Sequence, residues 1–417
     1  MNEARIITFG CRLNTYESEV MRRQMAAAGV GEVVVVHTCA VTAEAERQAR
    51  QAIRRARREH PGARIVVTGC SAEIDPDRYA AMAEVDHVLG NRDKLRAESW
   101  RLLAQGALPR VLRTGQGRED GEAPAPVDGL AGRSRAIVQV QQGCDHRCTF
   151  CVIPLGRGPS RSLDPARVVE QVRRLVDHGY REVVLSGVDL TSYGREWGGP
   201  ALGALVRRVL REVPGLARLR LSSVDPAEVD EQLLRAFAEE DRLMPHLHLS
   251  VQAGDDLILK RMRRRHLRRD VLELVARLRR LRPDMVFGAD LIAGFPTESE
   301  AMFARTLALV EEADLVYLHV FPYSPRPNTP AARMPQVPAE VRRERAARLR
   351  ALGEKRRRAF FLGERGQRRT VLVEREGRGR TEHFAPVALE GAAPPAGTLL
   401  PVRILEPASD HLRARAA

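Results

Sequence analysis

The sequence predicts an α/β protein in three parts: an N-terminal parallel α/β unit, a central partial (β/α)6 barrel and a small C-terminal β-barrel. Three observations carry that expectation. Short continuous Val/Ile runs alternate with helix-length stretches through the first hundred residues and again through residues 136–322, the pattern of parallel strands buried on both faces. Between them, "TGQGREDGEAPAPVDGLAGRS" is rich in Gly, Pro and acid and reads as a linker. After residue 363 the helical period gives way to short strands.

Taken in order, residues 4–9, 32–36, 64–68 and 85–89 are the strands of the first unit, and 16–28 and 42–59 its helices. The second series has strands at 137–141, 182–186, 218–222, 247–252, 286–292 and 315–320. Between the first two, Val168, Val169, Val172, Leu175 and Val176 recur at helical spacing, and Phe303, Leu307 and Val310 repeat the pattern later. Six strand–helix repeats fit a partial barrel, in which chemistry gathers at the C-terminal ends of the strands. Residues 339–361 read as a strongly basic helix, and 370–374, 386–389 and 399–404 as strands of the last barrel. The expected boundaries are 1–105, a linker 106–133, 134–361 and 362–417.

Composition narrows the class. With 44% hydrophobic residues the chain can bury a core, so disorder is not expected. No window approaches the roughly 18 apolar residues of a membrane helix, and residues 1–10 hold no apolar signal segment. No membrane association and a cytoplasmic location are therefore expected. The formal charge is +14, and of the 68 basic residues only Lys94, Lys260 and Lys355 are lysines. Residues 339–383 hold fifteen basic against seven acidic residues. Such a balance permits a polyanion partner. Aromatic residues, at 4%, are too few for broad base-stacking platforms.

All six cysteines fall within the first 151 residues. In an intracellular chain, close spacing favours metal ligation over disulfides. Cys144-Asp-His-Arg-Cys148-Thr-Phe-Cys151 directly follows a predicted strand. Three thiolates on one loop can hold three irons of a cubic cluster and leave the fourth open. The alternative is structural zinc completed by His146 or another histidine. Cys11, Cys39 and Cys70 each follow one of the first three strands, so a parallel sheet would bring them to one edge. They are either a second tripod or three small apolar residues.

The cysteine loop at the top of the first barrel strand resembles that of the radical S-adenosylmethionine (SAM) superfamily. Gly10-Cys11-Arg-Leu-Asn14, His37-Thr38-Cys39 and Gly69-Cys70 resemble the N-terminal domain of its methylthiotransferases, and the last barrel resembles their RNA-binding TRAM domain. The resemblance implies two [4Fe–4S] clusters, one on Cys144, Cys148 and Cys151 that binds SAM and one on Cys11, Cys39 and Cys70 that carries the inserted sulfur. It also implies SAM contacts at the strand ends: Ser186, Gly187 and Asp189, then Ser222, Gln252 and Asp290. Taken alone, such Gly, Ser and Asp clusters are equally the ordinary start of the next helix.

Residues Thr38-Cys39-Ala-Val-Thr42, Gly187-Val-Asp189-Leu-Thr-Ser-Tyr193-Gly194 and His246-Leu-His248-Leu-Ser250-Val-Gln252 are most similar to the branch acting on N6-threonylcarbamoyladenosine in tRNA. Two departures stand out. His37 replaces the usual Asn before Thr-Cys, and Asn328 replaces a Gly, at a turn that Asn can tolerate. The resemblance implies that one SAM methylates a sulfur and a second yields a 5′-deoxyadenosyl radical that takes hydrogen from C2 of the adenine. It further implies a tRNA substrate, a reducing electron donor and a sulfur donor. Arg157 and Arg161 are expected to meet a phosphate or the cofactor carboxylate, or to lie on a solvated turn. The basic run 260–266 is expected to face nucleic acid or solvent. Two further readings remain: the same machinery acting on an aspartate of a ribosomal protein, and a non-catalytic RNA-binding protein with structural zinc.

Overall fold

A computed structural model describes residues 4–115, 126–199 and 201–417. Residues 116–125 of the expected linker lie outside the described residues. The first unit is a five-stranded parallel sheet in sequential order: Arg5–Thr8, Val33–Thr38, Arg64–Gly69, His87–Leu89 and Val111–Leu112. Apart from the half-buried Arg64, its central strands are buried throughout, which is why they read as unbroken Val/Ile runs rather than alternating ones. Val111–Leu112 adds its fifth strand inside the stretch expected as linker, where two residues are too short to leave a periodic signal. The helices Arg12–Ala27 and Ala43–Glu59 cover the sheet. Thr42 starts the second by accepting the Ala45 N–H, and Arg57 and Arg58 sit favourably at its C-terminal end.

Six parallel strands follow in sequential order: Ala136–Gln139, Glu182–Ser186, Arg218–Leu221, His246–Gln252, Val286–Ala293 and Leu315–Pro322. They form two three-stranded sheets joined by isolated bridges at Leu219–Leu243 and Val224–Leu249, a barrel left open between its first and last strands. Helices Pro165–Asp177, Leu202–Glu212, Glu231–Glu239, Arg268–Leu281 and Glu300–Glu312 surround it. Tyr16 and Val20 of the helix Arg12–Ala27 join the central core beside the first barrel strand, as do Val127 and Leu130 from the far end of the expected linker. The N-terminal unit is thereby packed on the barrel through apolar contact.

The basic helix spans Ala339–Gly363 and lies against the last barrel strand. A closed five-stranded barrel follows, and it includes two strands not anticipated, Arg378–Arg380 and Leu412–Ala416. Its 381–384 turn plugs the N-terminal end of the central barrel. Phe384, at φ 67°, stacks on His246 at 5.3 Å, and Arg220 donates to the Thr381 and Glu382 carbonyls at 2.8 Å. Among the described residues no helix is long and apolar enough to cross a membrane.

Candidate active site

The loop holding Cys144, Cys148 and Cys151 is fixed by backbone geometry and by one amide side chain. Gly143 has φ 73°, and a Cβ there would stand 1.9 Å from the Pro159 carbonyl oxygen, so no other residue fits without moving the chain. Gln141 donates to the Gly143 carbonyl at 2.8 Å and to Ser160 Oγ at 3.0 Å, and accepts from the Asp189 N–H at 2.9 Å. Thr149 ties the loop to the carbonyls of Met262 and Arg261. These bonds fix the loop's backbone, while its sulfurs make only long contacts, among them the Ile153 N–H donating to Cys151 Sγ at 3.4 Å.

Cys11 caps the helix Arg12–Ala27, Cys39 directly follows the strand ending at Thr38, and Cys70 opens the short helix Cys70–Ile74. The sheet edge brings them together: a Cβ on Gly10 would lie 3.0 Å from Cys39 Sγ, and Cys39 feels both Cys70 and Cys11 electrostatically. All six thiols are free. Cys70 lies beside the loop of the other trio. Cys70 packs with Val152, the residue after Cys151, and a Cβ on Gly156 would lie 3.1 Å from Cys70 Cβ.

A buried polar network locks this arrangement. Arg157, on the helix Ile153–Arg157 that follows the cysteine loop, donates to Glu17 Oε1 at 2.7 Å and to Asn14 Oδ1 at 2.6 Å. Glu17 also holds Lys94 at 2.9 Å, and Lys94 reaches His37 at 2.8 Å. Asn14, three residues after Cys11, bonds the Phe9 and Thr38 carbonyls beside two of the cysteines. Burial would raise the Glu17 pKa, but Arg157 and Lys94 outweigh it and hold the carboxylate well below its usual range. Asn91 bonds the Gly156 carbonyl, and Arg326 pairs with Glu46 across the same boundary. Arg157 is therefore committed to a buried ion pair, which corrects both expectations for it: it faces neither phosphate nor solvent.

Burial pushes the Cys39 and Cys151 thiols up to about 12. Such thiols bind as thiolates only where a cationic metal offsets the charge. The donor chemistry of both trios therefore fits iron–sulfur clusters, three soft ligands each.

The strand-end residues divide. Asp189 lies at the cysteine loop, its Oδ2 3.7 Å from Cys144 Sγ and 2.7 Å from His146 Nε2. Hydrogen bonding to Asp189 and then Glu228 pushes His146 up to about 9. Gly187 packs against Gln141, Ser186 is buried at its strand end, and Ser222 Oγ is buried without a partner. Gln252 sits in a strand irregularity at φ 70°. Asp290 lies mid-strand, where His248 at 3.1 Å and His319 at 3.0 Å engage its carboxylate. The basic run 260–266 divides: Lys260, Arg263 and Arg265 are exposed, whereas Arg264 and His266 turn inward. Arg264 bonds Asp225 at 2.7 Å and reaches Cys148 Sγ at 3.6 Å, Arg265 also pairs with Asp225, and His266 is fully buried. Sequence reasoning missed Arg264 as a neighbour of the cysteine loop. The Asp225–Pro226 turn that holds it gives no sequence sign of that pairing.

Residues 138–310 match the family described as the Radical SAM superfamily, and residues 3–90 match uncharacterized protein family UPF0004. A threonylcarbamoyladenosine tRNA methylthiotransferase MtaB of Rickettsia prowazekii is 49% identical, the alignment covering 92% of this chain and 91% of that protein. The chain belongs to the radical SAM tRNA methylthiotransferases. As a member of that family it is an enzyme that methylthiolates tRNA by radical SAM chemistry, with SAM and [4Fe–4S] as cofactors. The methylthiotransferase of the same name from Bacillus subtilis is 32% identical over 96% of this chain and 93% of its own. A tRNA-2-methylthio-N(6)-dimethylallyladenosine synthase of Cereibacter sphaeroides is 35% identical over 99% and 98%. Among solved structures, a radical SAM methyltransferase, TsrM from Kitasatospora setae, superposes with a TM-score of 0.54 at 17% identity over 77% of this chain and 68% of its own, a likeness of fold. These matches favour clusters over structural zinc in the methylthiotransferase.

Proposed function

We propose that the enzyme adds a methylthio group to C2 of N6-threonylcarbamoyladenosine beside the anticodon of tRNA, using two [4Fe–4S] clusters. The observation that supports the two-cluster reading is the packing of Cys70, from one cysteine trio, on Val152 and Gly156 beside the other, with the buried Arg157–Glu17 pair across the same boundary. The relatives acting on threonylcarbamoyladenosine support the choice of nucleoside. Cys144, Cys148 and Cys151 would ligate the SAM-binding cluster, and Cys11, Cys39 and Cys70 the sulfur-bearing one. When bound, the first supplies the electron that cleaves SAM to a carbon radical, the chemistry needed at an unactivated C–H bond.

The chain's own residues would position and shield. Asp189 beside Cys144, with Ser186 and Gly187, would meet the SAM amino group, and the unpartnered Ser222 Oγ stands available to the cofactor. Gln252 and Asp290 would complete the cofactor wall from the next two strands. The target base must leave its stack to reach the barrel mouth. Arg343, Lys355 and Arg358, exposed on the basic helix, have no acidic partner among the described residues and would hold phosphates there. A low-potential electron donor, a sulfur donor and a cytoplasmic location complete the reading. A nucleoside assay with SAM, reductant and tRNA carrying threonylcarbamoyladenosine tests it. The 2-methylthio product is expected, and its absence while dimethylallyladenosine or a ribosomal protein is modified would refute it.

A further inference from the structure

Arg12 follows Cys11 at the start of the N-terminal helix and reaches toward the central barrel. Its guanidinium lies 5.9 Å from the Phe384 ring centroid, in a lumen also faced by Arg135, Arg220, Arg380 and Asp290. The other three arginines are committed. Arg135 pairs with Glu182 and Glu374. Arg220 holds Glu182 at 2.7 Å and two carbonyls of the C-terminal barrel. Arg380 donates to the Phe384 carbonyl at 3.0 Å. Asp290, the one acid acting on Arg12, is already engaged by His248 and His319. Among the described residues Arg12 has no hydrogen-bond or ion-pair partner.

A partly buried cation beside three others and without a counter-ion gains nothing for stability. It is a site for an incoming anion, and a guanidinium matches a carboxylate with two parallel N–H donors. We propose that Arg12 receives the threonine carboxylate of the threonylcarbamoyl group and so sets the preference for an anionic N6 substituent; this rests on the nucleoside assigned above. The position fits the chemistry, because Arg12 adjoins a ligand of the sulfur-bearing trio and the base must present C2 to that trio. A neutral, branched hydrocarbon substituent would leave the guanidinium unpaired and desolvated.

The test compares two anticodon stem-loops with the holoenzyme, one carrying threonylcarbamoyladenosine and one in which the threonine carboxylate is a carboxamide. The wild type is expected to lose roughly ten- to a hundredfold in kcat/KM on the carboxamide, mostly through KM. Arg12→Gln should show the same loss on the acid substrate and no further loss on the carboxamide. Arg12→Lys should recover part of the acid preference. Iron content and 5′-deoxyadenosine formation without tRNA should stay at wild-type values in both variants. Equal turnover of both stem-loops by the wild type, or an Arg12→Gln variant that still prefers the acid, overturns the assignment of Arg12 alone. Loss of iron in both variants also overturns it, since that marks a structural role. A wild type active on neither stem-loop overturns the nucleoside assignment and this inference together.

Discussion

Cys144, Cys148 and Cys151 lie on one loop whose shape is set within a few residues, by Gly143 and by the side chain of Gln141. Cys11, Cys39 and Cys70 stand at the ends of three different strands and meet only because those strands run parallel and stop together. The first cage is local, and its ligands stay close in sequence whatever the rest of the chain does. The second is tertiary, so anything that shifts one strand, or the barrel helix packed on Cys70, disperses it. The Arg157–Glu17 pair is the tie between the two.

Removing a ligand separates the two cages most strongly. Cys144→Ala should abolish 5′-deoxyadenosine formation and thiolation alike. Cys11→Ala should keep SAM cleavage, lose the methylthio product and hold about half of the roughly eight irons of two clusters. Normal thiolation by the Cys11 variant would end the two-cage account. Next in size, Arg157→Met takes from Glu17 one of its two buried cations and leaves Lys94 as the other, a loss of about 1.5–3 kcal/mol. Denaturant unfolding should show that loss, and reconstituted iron should fall at the N-terminal trio before the loop trio. Retention of stability and of the iron of both trios would mean the sheet alone holds the second cage.

Gly143→Ala acts on the other side. The clash with the Pro159 carbonyl and the positive φ should cost about 1–3 kcal/mol and deplete iron on the loop trio only. A smaller effect is pH-dependent. Because Glu17 is held below its unfolded value of about 4.3, its contribution is present above that pH and is lost as pH falls through its native value. Urea midpoints measured from pH 7 down to pH 3 should fall on the acid side, and Glu17→Gln should flatten that limb. The smallest change is in RNA binding, where Lys355→Ala with Arg358→Ala should lower the salt slope of tRNA affinity by about one per residue. An unchanged slope would move the RNA surface away from this helix.

Much of the architecture was legible because its signals are local. Unbroken Val/Ile runs marked the parallel strands, a three-cysteine spacing marked the loop, and Asn328 adopts φ 65° at the turn where its tolerance was expected to matter. The strand Leu412–Ala416 left a readable trace too, with Leu412 and Ala414 buried between exposed arginines. Arg378–Arg380 did not, because three residues with a central glycine carry no period.

Neighbours a few positions apart were enough to place most strands and helices, the cysteines that share a loop and those that end successive strands, but not the short strands Val111–Leu112 and Arg378–Arg380. Folding in three dimensions set the rest: Arg157 pairs with Glu17, Arg264 stands by Cys148, Phe384 stoppers the barrel, and Arg12 has no hydrogen-bond or ion-pair partner among the described residues. A charge shows its type in sequence but not its partner, and pairing depends on distances that chain separation does not fix.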